Sequence, residues 1–175
     1  MSNAAHPSNP SLTGSPAAEA AATDWLRLDQ QLCFALYASS LAMTKLYKPL
    51  LSPLGLTYPQ YLVMLVLWES DGLAVSALGE RLGLDSGTLT PLLKRLQTQG
   101  LVERRRSDKD ERRVDIHLSE AGRSLRAQAV GIPEQLACAS ACSLDELQTL
   151  TRQLQDLRSS VLHHLEQADR TRPPG

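Results

Sequence analysis

Disulfide, metal and enzyme signatures are what this sequence most lacks. It has three cysteines, one phenylalanine and two tryptophans in 175 residues, and aromatic residues make up only 4%. Three thiols, Cys33, Cys138 and Cys142, are too few and too odd in number for a secreted disulfide scaffold. They read either as inert core thiols or as redox-active ones. No apolar run is long enough to span a membrane, and residues 1–23 have neither a basic start nor a continuous apolar stretch. A signal peptide is therefore not expected and a cytoplasmic setting is. There is no Gly-rich phosphate loop, nucleophile elbow or paired catalytic carboxylate motif, so neither an enzyme nor a cofactor is expected. His163-His164 lacks the further ligands that would complete a tetrahedral metal site and reads as a solvated or interface pair.

Charge is also scarce in sum, at a formal net of -1, but it is segregated. Between Lys94 and Arg113 eight basic residues meet four acidic ones, a local excess of +4 that leaves about -5 for the rest of the chain. A nucleic-acid surface here must be a local patch. With 42% hydrophobic residues the chain can bury one domain-sized core.

The expected fold is mainly α with a small β-hairpin wing: a winged helix-turn-helix with long N- and C-terminal dimerisation helices. Residues 1–23 are rich in Ala, Ser, Pro and Asn and are expected to be disordered, as is a tail at 168–175; the domain is expected over 24–167. Apolar residues Leu28, Leu32, Ala35, Leu36, Met43 and Leu46 recur at helical spacing from Asp24 to Tyr47, predicting a long helix that ends at Lys48-Pro49. Thr57-Tyr58-Pro59-Gln60 has a capping-box pattern and opens a helix to about Glu69. Asp71-Gly72 is a stop. A short helix over Val75 to Leu82 closes at Gly83, and a second runs to Gln99 before Gly100. Its start is open between Asp85 and Thr88; Pro91, comfortable only in a first turn, favours Thr88 as cap. Leu101 to Arg105 and Val114 to Leu118 read as strands flanking a charged tip, Arg106 to Arg113. Helix restarts at Ser119, breaks at Gly131-Ile132-Pro133, and restarts at the capping box Ser143 to Glu146 with a leucine stripe to Leu165. The end helices carry more apolar face than one small core can cover, which predicts a homodimer. Trp25 and Trp68 read as packing residues.

A duplex offers phosphates that need cations and a major groove that admits one helix. Ser86, Thr88 and Thr90 begin the second helix, at the end that contacts base edges, and Lys94 and Arg95 follow one turn on. Arg104, Arg105, Lys109, Arg112 and Arg113 arm the hairpin, where Arg can enter a minor groove. The plainer alternative is a hairpin charged only for solubility.

The run Asp85-Ser86-Gly87-Thr88-Leu89-Thr90-Pro91-Leu92-Leu93-Lys94-Arg95-Leu96, followed by Gly100-Leu101-Val102, Asp110-Glu111-Arg112-Arg113 and Leu118-Ser119, resembles the multiple antibiotic resistance regulator (MarR) family over roughly 24–167. The resemblance implies a winged-helix dimer on a pseudo-palindromic double-stranded operator, usually repressing. It also implies that Asp110 orients Arg112 for the minor groove. Leu32-Cys33-Phe34-Ala35-Leu36-Tyr37, with Tyr47 and Tyr58 downstream, resembles the family's organic hydroperoxide resistance branch. That resemblance implies a redox sensor at Cys33 hydrogen-bonded by the hydroxyls of Tyr47 and Tyr58. The likeness to two-cysteine members implies Cys138 as the resolving cysteine, with Cys142 the alternative. Cys33 and Tyr47 are fourteen residues apart, about 21 Å along one unbroken helix, so contact between them most simply crosses a dimer interface.

The expected function is a repressor that releases its operator when an organic hydroperoxide oxidises Cys33. Two alternatives stay open: a regulator of the same fold that answers a small aromatic ligand with Cys33 incidental, and a thiol peroxidase that turns peroxide over at Cys33.

Overall fold

The computed structural model describes residues 25–107 and 110–171. The chain divides into two compact units, residues 1–43 and 44–175, with the boundary inside the first α-helix.

In the first unit a 3-10 turn, Leu28–Gln30, precedes helix α1 (Leu32–Leu51). The helix expected from Asp24 therefore begins at Leu32. Gln31 is extended (φ -87°, ψ 113°), and its side-chain amide donates to the Trp25 carbonyl, which interrupts the ladder without interrupting the spacing of Leu28 and Leu32. The expected stop at Lys48-Pro49 is also passed: Pro49 sits inside the helix, one turn from its end and on an exposed face, where a missing N–H costs least. Trp25, expected to pack, is 71% exposed, and Leu26, Leu32, Phe34, Leu36 and Leu41 are exposed with it.

The second unit holds the core. Helix α2 (Tyr58–Glu69) opens on the expected box: the Gln60 side-chain oxygen accepts from Thr57 N–H and from Thr57 Oγ1, each at 2.9 Å. Helices α3 (Val75–Leu82) and α4 (Ser86–Thr98) form the helix-turn-helix, joined through Gly83 in the left-handed conformation (φ 66°). Leu67, Leu78, Leu89, Leu93, Leu96 and Ile116 are fully buried where these elements meet. Each buried leucine contributes about 2 kcal/mol, so this cluster fixes the helix pair before any polar contact is counted.

Three antiparallel strands follow the order β1 (Leu73–Ala74), β3 (Asp110–Leu118), β2 (Val102–Ser107). The hairpin is longer than expected. Arg106 pairs with Val114 and Ser107 with Asp110, with a register break between, so much of the presumed tip is strand. Alternation of side chains misses this because exposed arginines leave ladder hydrogen bonding of the backbone intact. The short β1 was not legible either: two residues, Leu73 and Ala74, pair with Ile116 and Asp115.

Beyond the sheet lie α5 (Glu120–Ala129), α6 (Ile132–Ser140) and α7 (Leu144–Thr171). The Gly131-Pro133 break and the Ser143 box are where the sequence has them; Ser143 N–H donates to Glu146 Oε2 at 2.7 Å. Helix α7 continues through Thr171, past the expected start of the tail at 168. Ala168, Asp169 and Arg170 carry no helix breaker, and Arg170 suits the negative end of the helix dipole. Along α7, Leu150, Leu154, Val161, Leu162 and Leu165 are exposed. Trp68 does pack on the core, and its Nε1 donates to the Gly122 carbonyl at 2.9 Å.

Candidate nucleic-acid interface and cysteine sites

Helix α4 buries Leu89, Leu93 and Leu96 on one side, which leaves Gly87, Pro91, Lys94, Arg95 and Thr98 on the other. Asp85, not Thr88, caps it. The Asp85 carboxylate accepts from Thr88 N–H at 2.9 Å and Thr88 Oγ1 at 2.8 Å, and Thr90 Oγ1 donates to the Ser86 carbonyl at 2.7 Å. These bonds satisfy the first turn, so the helix starts at Ser86 and carries Pro91 in its second turn, where the absent N–H would have met the Gly87 carbonyl. The two donations hold the Asp85 carboxyl below the usual carboxylate range. The Thr88 and Thr90 hydroxyls thus donate within the first turns of the helix; Ser86, Thr88, Lys94 and Arg95 are exposed and Thr90 is half-buried.

On the hairpin the cations are partly self-paired. Arg105 Nη2 lies 2.6 Å from Glu103 Oε2, and Arg113 Nε lies 2.8 Å from Asp115 Oδ1. Exposed pairs of this kind are worth at most about 1 kcal/mol, so a phosphate can displace the carboxylate. The side chains of Asp110 and Arg112, and the whole of Lys109, lie outside the described residues.

Tyr47 and Tyr58 are brought together, their ring centroids 4.6 Å apart and tilted by 35°. Tyr61, which the sequence reading missed, joins them at 6.0 Å from Tyr47 and stacks edge-on with Trp68. Its signal was its position three residues after Tyr58, on the same helix face. Burial first, then the neighbouring Tyr58 and Tyr61, push the Tyr47 hydroxyl up to about 12. Burial also raises Tyr58, and burial with Tyr58 nearby raises Tyr61. All three phenols are therefore hydrogen-bond donors at neutral pH. The pair borders two clefts: one of about 640 Å³ lined by Tyr47, Pro133, Leu136, Leu144, Leu147, Thr151 and Arg152, the other of about 440 Å³ lined by Lys48, Leu56, Thr57, Tyr58 and Pro59.

Cys33 is exposed on α1, in contrast to the inert buried thiol that a leucine-rich helix suggests. Cys138 is exposed near the end of α6, and Cys142 is half-buried, its Sγ donating to the Ser140 carbonyl at 3.4 Å.

Two polar residues gained a role that only the structure shows. Asp71, read as a stop, takes Gly72 N–H (2.9 Å), Leu118 N–H (2.7 Å) and Arg123 Nη1 (3.0 Å), fastening the base of the hairpin to α5. Gln60, read as a cap, also donates to Gln99 Oε1 at 3.1 Å. His163 pairs with Gln167 at 2.8 Å, and among the described residues no group of three or more His, Cys, Asp or Glu is arranged to hold a metal. Among them, too, no single helix is long and apolar enough to cross a membrane.

The family described as transcriptional regulator SarA/Rot matches residues 45–128. The organic hydroperoxide resistance transcriptional regulator of Bacillus subtilis (strain 168) is 53% identical over 138 residues, 79% of this chain and 94% of that protein. The HTH-type transcriptional regulator TtmR of Methylorubrum extorquens (strain PA1) is 48% identical over 134 residues, 77% of this chain and 69% of that one. Among solved structures, AbfR of Staphylococcus epidermidis is 34% identical with a TM-score of 0.64, covering 83% of this chain and 98% of its own. AbfR has also been solved reduced and bound to DNA (33% identity, TM-score 0.62, 79% and 98% covered) and in a disulfide-formed state (35%, 0.55, 79% and 98%).

Proposed function

We infer that this chain, which belongs to the MarR family of winged-helix transcriptional regulators and to its organic hydroperoxide resistance branch, is a homodimeric DNA-binding repressor that releases its operator when Cys33 is oxidised by an organic hydroperoxide. The observation that carries the sensing half is the Tyr47–Tyr58 pair, two protonated phenols side by side at the border of two clefts of organic-ligand size.

Phenol donors favour a thiolate over a thiol, and the thiolate is the nucleophile. Its sulfur attacks the terminal oxygen of ROOH; the S–O bond forms, the O–O bond breaks, and the leaving alkoxide takes a proton to become ROH. Sulfur is oxidised by two electrons to a sulfenic acid. A second thiol then displaces hydroxide, which leaves as water, and a disulfide forms. Fourteen residues of helix separate Cys33 from Tyr47, so the thiol meets the partner subunit's Tyr47 and the partner subunit's Tyr58. Exposed apolar side chains along α1 and α7 supply the surface for that pairing. Cys138 is the proposed resolving cysteine.

On the DNA side, the exposed face of α4 enters the major groove with Ser86, Lys94 and Arg95, and the hairpin reaches the flanking backbone and minor groove with Arg105, Arg112 and Arg113, Asp110 orienting Arg112. AbfR, solved both on DNA and with a disulfide formed, supports a redox-responsive reading for this architecture. Gel-shift titration of reduced and cumene hydroperoxide-treated protein, wild type and Cys33→Ser, tests it. Release on oxidation in wild type alone is expected; equal release in Cys33→Ser would sink the sensor role.

A further inference from the structure

Gln60 is the one buried polar residue among the described ones, 3% exposed, and both ends of its amide are engaged. Its oxygen accepts from Thr57 N–H and Thr57 Oγ1, its Nε2 donates to Gln99 Oε1 at 3.1 Å, and Gln99 Nε2 donates to the Gly55 carbonyl at 2.9 Å. Gln99 is the residue that ends helix α4, four positions after Arg95, and Gln60 stands in the first turn of α2, two positions after Tyr58. The chain of bonds therefore runs from the end of the helix proposed to read DNA to the turn that carries a proposed thiol partner.

We infer that Gln60 and Gln99 are positioning residues that clamp the C-terminal end of α4 to the tyrosine-bearing end of α2, so that a displacement at Tyr58 moves the DNA-reading helix with it. The inference rests on the sensing function proposed above and deepens it. Val63, Met64 and Leu67 of α2 and Leu89, Leu93 and Leu96 of α4 belong to one apolar cluster, and apolar contacts permit small sliding because dispersion has no preferred direction. The amide pair does not slide. Separating it strands a side chain that water cannot reach, and no buried side-chain N or O among the described residues is otherwise without a partner. Gly55, the first turn of α2 and the end of α4 are thus tied into one body within the turn of α2 that also holds Tyr58.

The test uses the full-length chain, a double-stranded operator selected by binding enrichment with reduced protein, and cumene hydroperoxide as oxidant. Gln60→Leu/Gln99→Leu removes both amides together, so neither is left unpaired; Gln99→Ala, at an exposed position, serves if the double variant does not fold. Operator affinity is measured before and after oxidation, with Cys33 oxidation followed independently by mass spectrometry and folding by thermal melting. Wild type should lose affinity on oxidation, and the variants should oxidise at the wild-type rate yet show a reduced-to-oxidised affinity ratio smaller by about fivefold or more. A folded variant that keeps the full wild-type ratio overturns the clamp alone. A wild-type protein that holds its operator after complete oxidation overturns the sensing function, and the clamp with it.

Discussion

The hydroxyl-bearing rings of Tyr47 and Tyr58 stand 4.6 Å apart although ten residues, a helix end and a turn separate them in sequence. Burial raises the cost of ionising both, and for Tyr47 the neighbouring Tyr58 adds to it, so both remain donors. Tyr47→Phe and Tyr58→Phe should leave operator binding intact and slow Cys33 oxidation by about tenfold or more, the worth of a hydrogen bond to a charged acceptor. Stopped-flow peroxide titration checks this; wild-type rates in both variants would remove the phenols from the chemistry.

The same burial makes a stability prediction at alkaline pH. Tyr47 has a folded pKa raised from 10.0 to about 12, so its neutral form stabilises the folded state. That contribution is complete below the unfolded pKa and is lost as pH rises through 10 toward 12. Denaturant midpoints should fall across that window in wild type and fall less in Tyr47→Phe.

At the acid end Asp85 behaves with the opposite sign. Its folded pKa is depressed by the Thr88 donors, so the cap is whole above the ordinary carboxylate value of 3.8 and is lost as pH falls through the folded value. Asp85→Asn should keep the cap and remove this acid limb, whereas Asp85→Ala should fray the start of α4 and weaken operator binding at every pH. Amide exchange at Thr88 reports directly; equal protection in all three proteins would refute the cap's role.

Gly122 has no room for a side chain: a Cβ there would stand 2.0 Å from the Leu101 carbonyl oxygen and 3.3 Å from Leu118 Cδ2. Because the obstacle is backbone, Gly122→Ala should cost about 2 kcal/mol or more in urea unfolding. Gly100→Ala, with nothing within 4 Å but a φ of +72°, should cost about 1 kcal/mol from backbone strain alone. A neutral Gly122→Ala would contradict the close approach of α5 to the start of β2.

Arg112→Ala should weaken operator binding by about 1 to 3 kcal/mol and flatten its salt dependence, as loss of a groove cation does. After hydroperoxide treatment, non-reducing electrophoresis should show a covalent dimer that disappears in Cys33→Ser and Cys138→Ser and persists in Cys142→Ser. A crosslink lost only with Cys142 would transfer the resolving role to that thiol.

Much of this architecture is legible in the residues because local chemistry and tertiary packing agree. The boxes at Thr57 and Ser143, the glycine stop at Gly83 and the Gly131-Pro133 break all mark true boundaries. Legibility fails where a side chain compensates the backbone at a distance. Pro91 argues for a late start to α4, and only the doubly bonded Asp85 carboxylate reverses that. Strand β1 is two residues long, below any periodicity, and depends on Asp71 holding Leu118 in place. The meeting of Tyr47 with Tyr58, and of Gln60 with Gln99, spans thirty-nine residues in the second case and is decided by the fold alone.

The uncovered leucines of α1 and α7 would give a regulator that dimerises through them a dependence on its own dosage. In a homodimer built on those faces, helices that one chain leaves bare are held by mass action, so the melting temperature should climb with the logarithm of protein concentration. A cell that keeps only a few copies of such a dimer would then be running its regulator near the dilution limit of its own scaffold, where a bound operator, by gripping two protomers at once, would become one of the forces that keeps them paired.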